Sequence, residues 1–207
     1  MTRAQGPGSE LEYRSFGTPG GERTVMVLRT GPVATTDPDN AITARRDVWI
    51  VAVELQAPEL EDPPAYAGET PAESTIEALA ILAERESGGR PIGLVAERST
   101  GEIAILLASH EPGRIDRLAL VGVPEPADAL AGERVGAMLA AIESPTLLVD
   151  ARGEGEGPPA AAWYAERLPH AEVDLLPPTD GALDGRPGLT DAWDAVLDHV
   201  APGAIRG

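Results

Sequence analysis

The 207-residue chain has no cysteine, and only 3% of its residues are aromatic. The first absence removes disulfides, thiolate nucleophiles and cysteine-ligated zinc together. The second means that the core is built from Ala, Val, Leu and Ile. Lysine is also missing, so all 16 cationic side chains are arginine. No apolar run approaches the roughly 18–20 residues that a membrane helix needs. The opening Met1-Thr-Arg-Ala-Gln-Gly-Pro-Gly8 has no apolar centre of the kind a secretion signal carries. These absences together make a cytoplasmic location the expectation.

What is present is acid. Thirty-four Asp and Glu set a formal charge of −18, which disfavours nucleic acid because a phosphate backbone is repelled. Solubility is the plain reading of that charge; a basic protein partner is the sharper one. Arginine-only usage with abundant Ala, Gly and Pro resembles the coding bias of high-GC actinobacterial genomes. The hydrophobic share of 43% suits one buried core, and a chain of this length is expected to form a single domain over 1–207, with 1–10 flexible.

Strand and helix signals alternate. Leu11–Phe16 alternates in polarity and reads as an edge strand before the Gly17–Gly21 turn. Thr24–Leu28 and Val48–Val53 are unbroken apolar runs of strand length, the pattern of strands covered on both faces. A short helix is possible near Asp39–Ala44, and Glu61–Thr70 is a loop by its prolines and acids. Thr70-Pro-Ala-Glu73 is a helix start, with a capping Thr, Pro at the first helical position and Glu at the third; Gly88-Gly89 ends that helix. Then follow a strand Pro91–Ala96, a helix Ser99–Ser109, a strand Ile115–Val123 and a helix Ala127–Ile142. The strand Pro145–Val149, the helix Pro159–Leu168, the strand Glu172–Leu176 and the helix Leu189–Val200 complete the chain. Such an order predicts an α/β fold: a mostly parallel sheet of about seven strands with helices on both faces.

Three segments resemble the α/β-hydrolase superfamily, and the likeness spans roughly residues 11–201. Val25-Met-Val-Leu-Arg-Thr-Gly-Pro32 is similar to the strand that leads into half of the family's oxyanion hole. Gly93–Val123 resembles the strand, turn and helix around the family's nucleophile, with the following strand. Ser144–Val149 through Leu168–Pro177 is similar to the strands that carry the acid and the histidine.

The resemblance implies three catalytic slots, and their occupants are Arg98 for the nucleophile, Glu154 for the acid and Gly181 for the histidine. An arginine does not deprotonate to attack a carbonyl, and glycine has no base. The family's oxyanion side is represented by Arg29, Thr30 and Gly31. The family crowds its turn with small residues two before and two after the nucleophile; here they are Ala96 and Thr100, with Gly101 one place late, and the turn reads as relaxed.

Ser99 is the rescue candidate, because Ser99-Thr-Gly101 repeats half of G-x-S-x-G one residue late. Its alternative reading is a helix cap, with Glu102 completing a capping box. A serine mechanism still needs a base, and His110, His170 and His199 all fall away from the family's histidine slot. Scattered His and plentiful carboxylates have no metal-ligand spacing, so neither a metal nor a cofactor is expected. Arg98 would either clamp an anionic group or pair with Glu97, Glu102 or Glu154. The family's lid region, 124–144, is reduced to about one helix, so the pocket is either open or covered by a partner. On that helix Leu130, Val135, Leu139 and Ile142 form a candidate interface, though helical spacing fits core equally.

The leading expectation is therefore a protein without a Ser-His-Asp triad, one that does not hydrolyse esters and instead binds a small anionic molecule, or performs repurposed cyclase-, lyase- or decarboxylase-type chemistry. Arg98 would orient the ligand, with Arg29, Thr30, Gly31, Glu97 and Asp180 around it. In the repurposed case Glu97, Glu154 or Asp180 would serve as acid or base. A Ser99 esterase or thioesterase is the first alternative, and a structural subunit of a hetero-complex or homo-oligomer the second.

Overall fold

The computed structural model describes residues 2–6, 9–31, 43, 45–55, 71–151, 159–177 and 186–204. Within them lies one sheet of eight strands: β1 Thr2–Gly6, β2 Ser9–Gly17, β3 Arg23–Arg29, β4 Val48–Glu54, β5 Ile92–Glu97, β6 Ile115–Val121, β7 Thr146–Ala151 and β8 Ala171–Leu176. Their order across the sheet is β1-β2-β4-β3-β5-β6-β7-β8. Only β2 runs against the others. The helices are α1 Pro71–Ser87, α2 Gly101–His110, α3 Ala129–Ala140, α4 Ala160–Ala165 and α5 Leu189–Val200. The α/β expectation holds, and the count rises from about seven strands to eight.

The additional strand falls in the segment expected to be flexible. Thr2–Gly6 has no apolar alternation to announce it, yet it pairs antiparallel with β2 from Thr2↔Tyr13 to Gly6↔Ser9. Backbone hydrogen bonding to an edge needs no side-chain pattern, which is why periodicity did not reveal it. The possible helix near Asp39–Ala44, the loop Glu61–Thr70 and the slots at Glu154, Asp180 and Gly181 lie outside the described residues, apart from the single Thr43.

Alternation along the central strands splits the core into two layers. Met26, Leu28, Leu94, Ala96, Leu118 and Leu120 face one layer, under α1 to α4. Val25, Val27, Val95, Ala119 and Val121 face the other, which α5 covers with Leu189, Trp193, Val196, Leu197 and Val200. Burial at i, i+4, i+7, i+8 and i+11 is the stripe expected of a helix lying on a sheet. Close approach is possible because Gly93 has no side chain. A Cβ there would fall 2.7 Å from Val200 Cβ and 2.8 Å from its carbonyl oxygen. Gly93→Ala is expected to lower stability by about 1–3 kcal/mol through overpacking, measurable by chemical denaturation.

Helix α3 is the whole of the helical structure between β6 and β7. Val135, Leu139 and Ile142 prove to be core, whereas Leu130 is 77% exposed. The four positions expected to act together are thus divided between two environments.

Candidate functional site

Strands β3 and β5 are neighbours, but the chain leaves them in opposite directions across the sheet. The next strand after β3 is β4 on one side, and after β5 it is β6 on the other. Crevices in open α/β sheets form at the carboxyl ends of such a pair. Here those ends carry Arg29-Thr30-Gly31 and Glu97-Arg98-Ser99. The hydroxyls of Thr30 and Ser99 lie 3.3 Å apart, so the two predicted groups do meet.

At the end of β5 the backbone turns abruptly. Glu97 is extended, Arg98 has φ +54°, and residues Arg98–Thr100 form a 3₁₀ turn that runs into α2. Arg98 is the one non-glycine residue with positive φ among the described residues. The turn is therefore strained and not relaxed, since a left-handed conformation costs an L-residue with a side chain roughly 1–2 kcal/mol. What keeps it so is its surroundings. Thr100 is buried, and its hydroxyl donates to the Leu28 carbonyl (2.8 Å) and accepts from the Glu97 amide (3.1 Å), stitching the turn to β3. The crowded small position is Gly101, where a Cβ would meet Val123 Cγ1 at 2.5 Å. The expected Ser99–Glu102 capping box does not form: the cap of α2 is Thr100, Ser99 is exposed towards Thr30, and Glu102 pairs with Arg134 of α3. Two hydrogen bonds and a ring of contacts outweigh the single cap that the sequence pattern offers.

Glu97 is a junction. One oxygen is 3.6 Å from Arg29 Nη2 and the other accepts from the Leu189 amide at the start of α5, at 3.3 Å. It holds Arg29 and the α5 N-terminus to the end of β5. Arg98 Nη2 donates to the Arg186 carbonyl at 3.5 Å. Gly122, at φ +60°, allows that approach, because a Cβ on it would lie 2.7 Å from the Pro187 oxygen. Three guanidinium-bearing residues thus gather around the carboxyl edge of β3, β5 and β6. Arg186 was not singled out in the sequence; it sits in a Pro-Gly loop 88 residues from Arg98, and only the docking of α5 brings it there.

Asp150 was also not singled out. It ends the apolar run of β7 and is 5% exposed. Its carboxylate accepts from the amides of Ala151 (2.8 Å) and Ala161 (3.0 Å), so it anchors the first turn of α4 to the sheet. Nearby, Tyr164 donates to the Pro124 carbonyl at 2.6 Å, and burial pushes its phenol above the ordinary range.

The chain's three histidines lie at the other edge. His110 ends α2, one connection before β6 begins, and is exposed. The His170 carbonyl accepts from Thr146 at the start of β7. His199, in the last turn of α5, has its Nε2 3.1 Å from the Pro145 carbonyl, and burial holds its imidazole below the usual value. All three sit by the amino ends of the strands, a full strand length from Arg98 and Ser99. Among the described residues no group of three or more His, Asp or Glu is arranged to hold a metal ion, and no helix is long and apolar enough to cross a membrane.

The strand order, the antiparallel β2 and the strained turn after β5 identify the architecture. This chain has the α/β-hydrolase fold. It superposes on a carboxylesterase from Bacillus subtilis with a TM-score of 0.70 at 13% identity, over 98% of this chain and 91% of the other. A 2-hydroxy-6-oxo-6-phenylhexa-2,4-dienoate hydrolase from Rhodococcus sp. strain RHA1 is similar with a TM-score of 0.65 at 16% identity, covering 93% and 94%. The thioesterase domain of the curacin biosynthetic pathway matches with a TM-score of 0.64 at 15% identity, covering 85% and 91%. No family model matches the sequence, and no curated protein does. At such identities the likeness is one of fold alone, since function resides in the site.

Proposed function

We propose that this α/β-hydrolase-fold protein does not hydrolyse esters through a triad and instead binds a small anionic molecule at the carboxyl edge between β3 and β5. The observation that carries this reading is Arg98, held at φ +54° on the turn after β5. Its placement is unfavourable twice. The left-handed backbone favours glycine, and a cation at the start of α2 opposes the positive end of the helix dipole. A guanidinium with five donors, one of which reaches the Arg186 carbonyl, is suited to a carboxylate, an enolate or a phosphate. Thr30 and Ser99 would add hydroxyl contacts, and Glu97 would keep Arg29 in place.

A serine mechanism through Ser99 finds a hydroxyl there, 3.3 Å from that of Thr30, but no imidazole at that edge. The neighbours in fold carry hydrolase and esterase names, whereas this sequence has no histidine between His170 and His199, the stretch in which the resemblance puts the base.

The test is Arg98→Gly. Relief of backbone strain, about 1–2 kcal/mol, is offset by the entropy of glycine, about 0.5–1 kcal/mol. Thermal stability is therefore expected to hold or rise slightly. Binding of small carboxylates and phosphates, screened by amide chemical shifts at Thr30, Ser99 and Gly101, is expected to disappear. Anion-induced shifts that persist in Arg98→Gly would remove Arg98 from the site.

A further inference from the structure

A second surface stands apart from the carboxyl edge and does not depend on the reading above. Helix α3 and the segment Trp163–Arg167 enclose an open groove of about 580 Å³, lined by Pro126, Asp128, Gly132, Gly136, Trp163 and Arg167 among others. Its floor exists because α3 has glycines at 132 and 136, four residues apart on one face. Glycine is among the poorest helix formers, so a packing reason is expected for each. The fold supplies none: a Cβ at Gly132 would sit 3.6 Å from Trp163 Cζ2 and one at Gly136 3.7 Å from Arg167 Cδ, both ordinary contacts. The missing methyl groups are space left open.

The groove has an apolar and an acidic character. Pro126 and Ala129 supply its apolar side at the start of α3, and Leu130, 77% exposed, lies next to Ala129 outside the lining. Trp163 forms the opposite wall. Asp128 and Glu133 stand on the rim, and exposed Glu125 precedes them. The cation present, Arg167, is already engaged. Its guanidinium lies 4.0 Å from the Trp163 ring centroid, donates to the Trp163 carbonyl at 2.7 Å and reaches Glu166 at 3.5 Å.

We propose that this groove is the docking site for a basic, arginine-bearing segment of a partner protein. An apolar residue of that segment would rest on Pro126, Ala129 and Trp163, and its cationic side chains would meet Asp128, Glu133 and Glu125. Charge complementarity selects the occupant. A second copy of this chain would bring the same acids against themselves, at −18 on each molecule, whereas a basic segment is steered towards that field.

The probe is an octapeptide of alternating Arg and Leu, with the Glu-for-Arg peptide as control, titrated into the full chain by calorimetry and by amide chemical shifts. Saturable binding of the Arg peptide is expected, with shifts confined to 128–136 and 163–167 and none with the Glu peptide. The variant Gly132→Leu/Gly136→Leu fills the groove without changing net charge, and its helix is expected to be at least as stable. Binding is expected to weaken roughly tenfold or more in it. Equal binding by the filled variant, shifts spread over the acidic surface, or absence of binding would each overturn the proposal. So would a concentration-dependent dimer, seen by sedimentation, that the filled variant abolishes, because the occupant would then be a second copy.

Discussion

Incubation with a serine-directed fluorophosphonate is expected to leave the intact mass of the chain unchanged, and Arg98→Ser is expected to leave ester turnover absent. The first half follows from Ser99, whose Oγ faces Thr30 with no imidazole near it. The second half is the stronger statement. Arg98→Ser puts a hydroxyl on a turn that already has the strained geometry of a nucleophile, at φ +54°. Yet His110, His170 and His199 remain at the amino edge of the sheet, and a side chain does not reach across a strand's length. A serine nucleophile without its base falls about a million-fold below an intact triad, so activated esters should turn over no faster than with a trace of oxyanion stabilisation. Stoichiometric labelling of Ser99, with turnover abolished by Ser99→Ala, would refute the non-hydrolytic reading outright.

Trp193→Ala is expected to cost about 3–5 kcal/mol and to lower the melting temperature by roughly 6–20 °C for a chain of this size. Trp193 is 4% exposed and centres the layer between α5 and strands β5 to β7. Aromatics are few in this chain, so one indole fills space that the neighbouring Ala192, Val196 and Leu197 do not. A consequence at the site is expected too. Loosening α5 shifts Leu189, whose amide holds Glu97, and Glu97 in turn holds Arg29. Amide shifts at Arg29 and Glu97 should therefore change in Trp193→Ala, although Trp193 lies one helical turn beyond Leu189. A melting temperature within a few degrees of the original would show that the layer repacks and that the indole is not its centre.

Much of the frame was legible because local patterns encode it. Continuous apolar runs marked β3 and β4, since strands covered on both faces need no polar side. Glycine at 88 and 89 ended α1 where expected, and the stripe from Leu189 to Val200 announced α5. Strand β1 was not legible, because its pairing is carried by backbone groups. The site was half legible. Counting along the strand and helix placed Arg98, and Arg29 with Thr30, at the strand ends, but did not show that Glu97 ties Arg29 to the start of α5. The turn read as relaxed because Thr100 is bulkier than the small residue expected; Thr100 instead buries its methyl and spends its hydroxyl on Leu28, while Gly101 meets the steric demand.

By itself, then, the order of residues determined which elements form, that Arg occupies the turn after β5, and that only three histidines exist. Tertiary structure alone decided that the turn stays strained, that Arg29, Glu97, Arg98 and Arg186 come to one edge, and that the histidines lie at the other. The reason is physical. Periodicity and turn chemistry act over a few residues, whereas the edge to which a side chain is delivered depends on strand direction and crossover, which are settled by packing across the whole sheet.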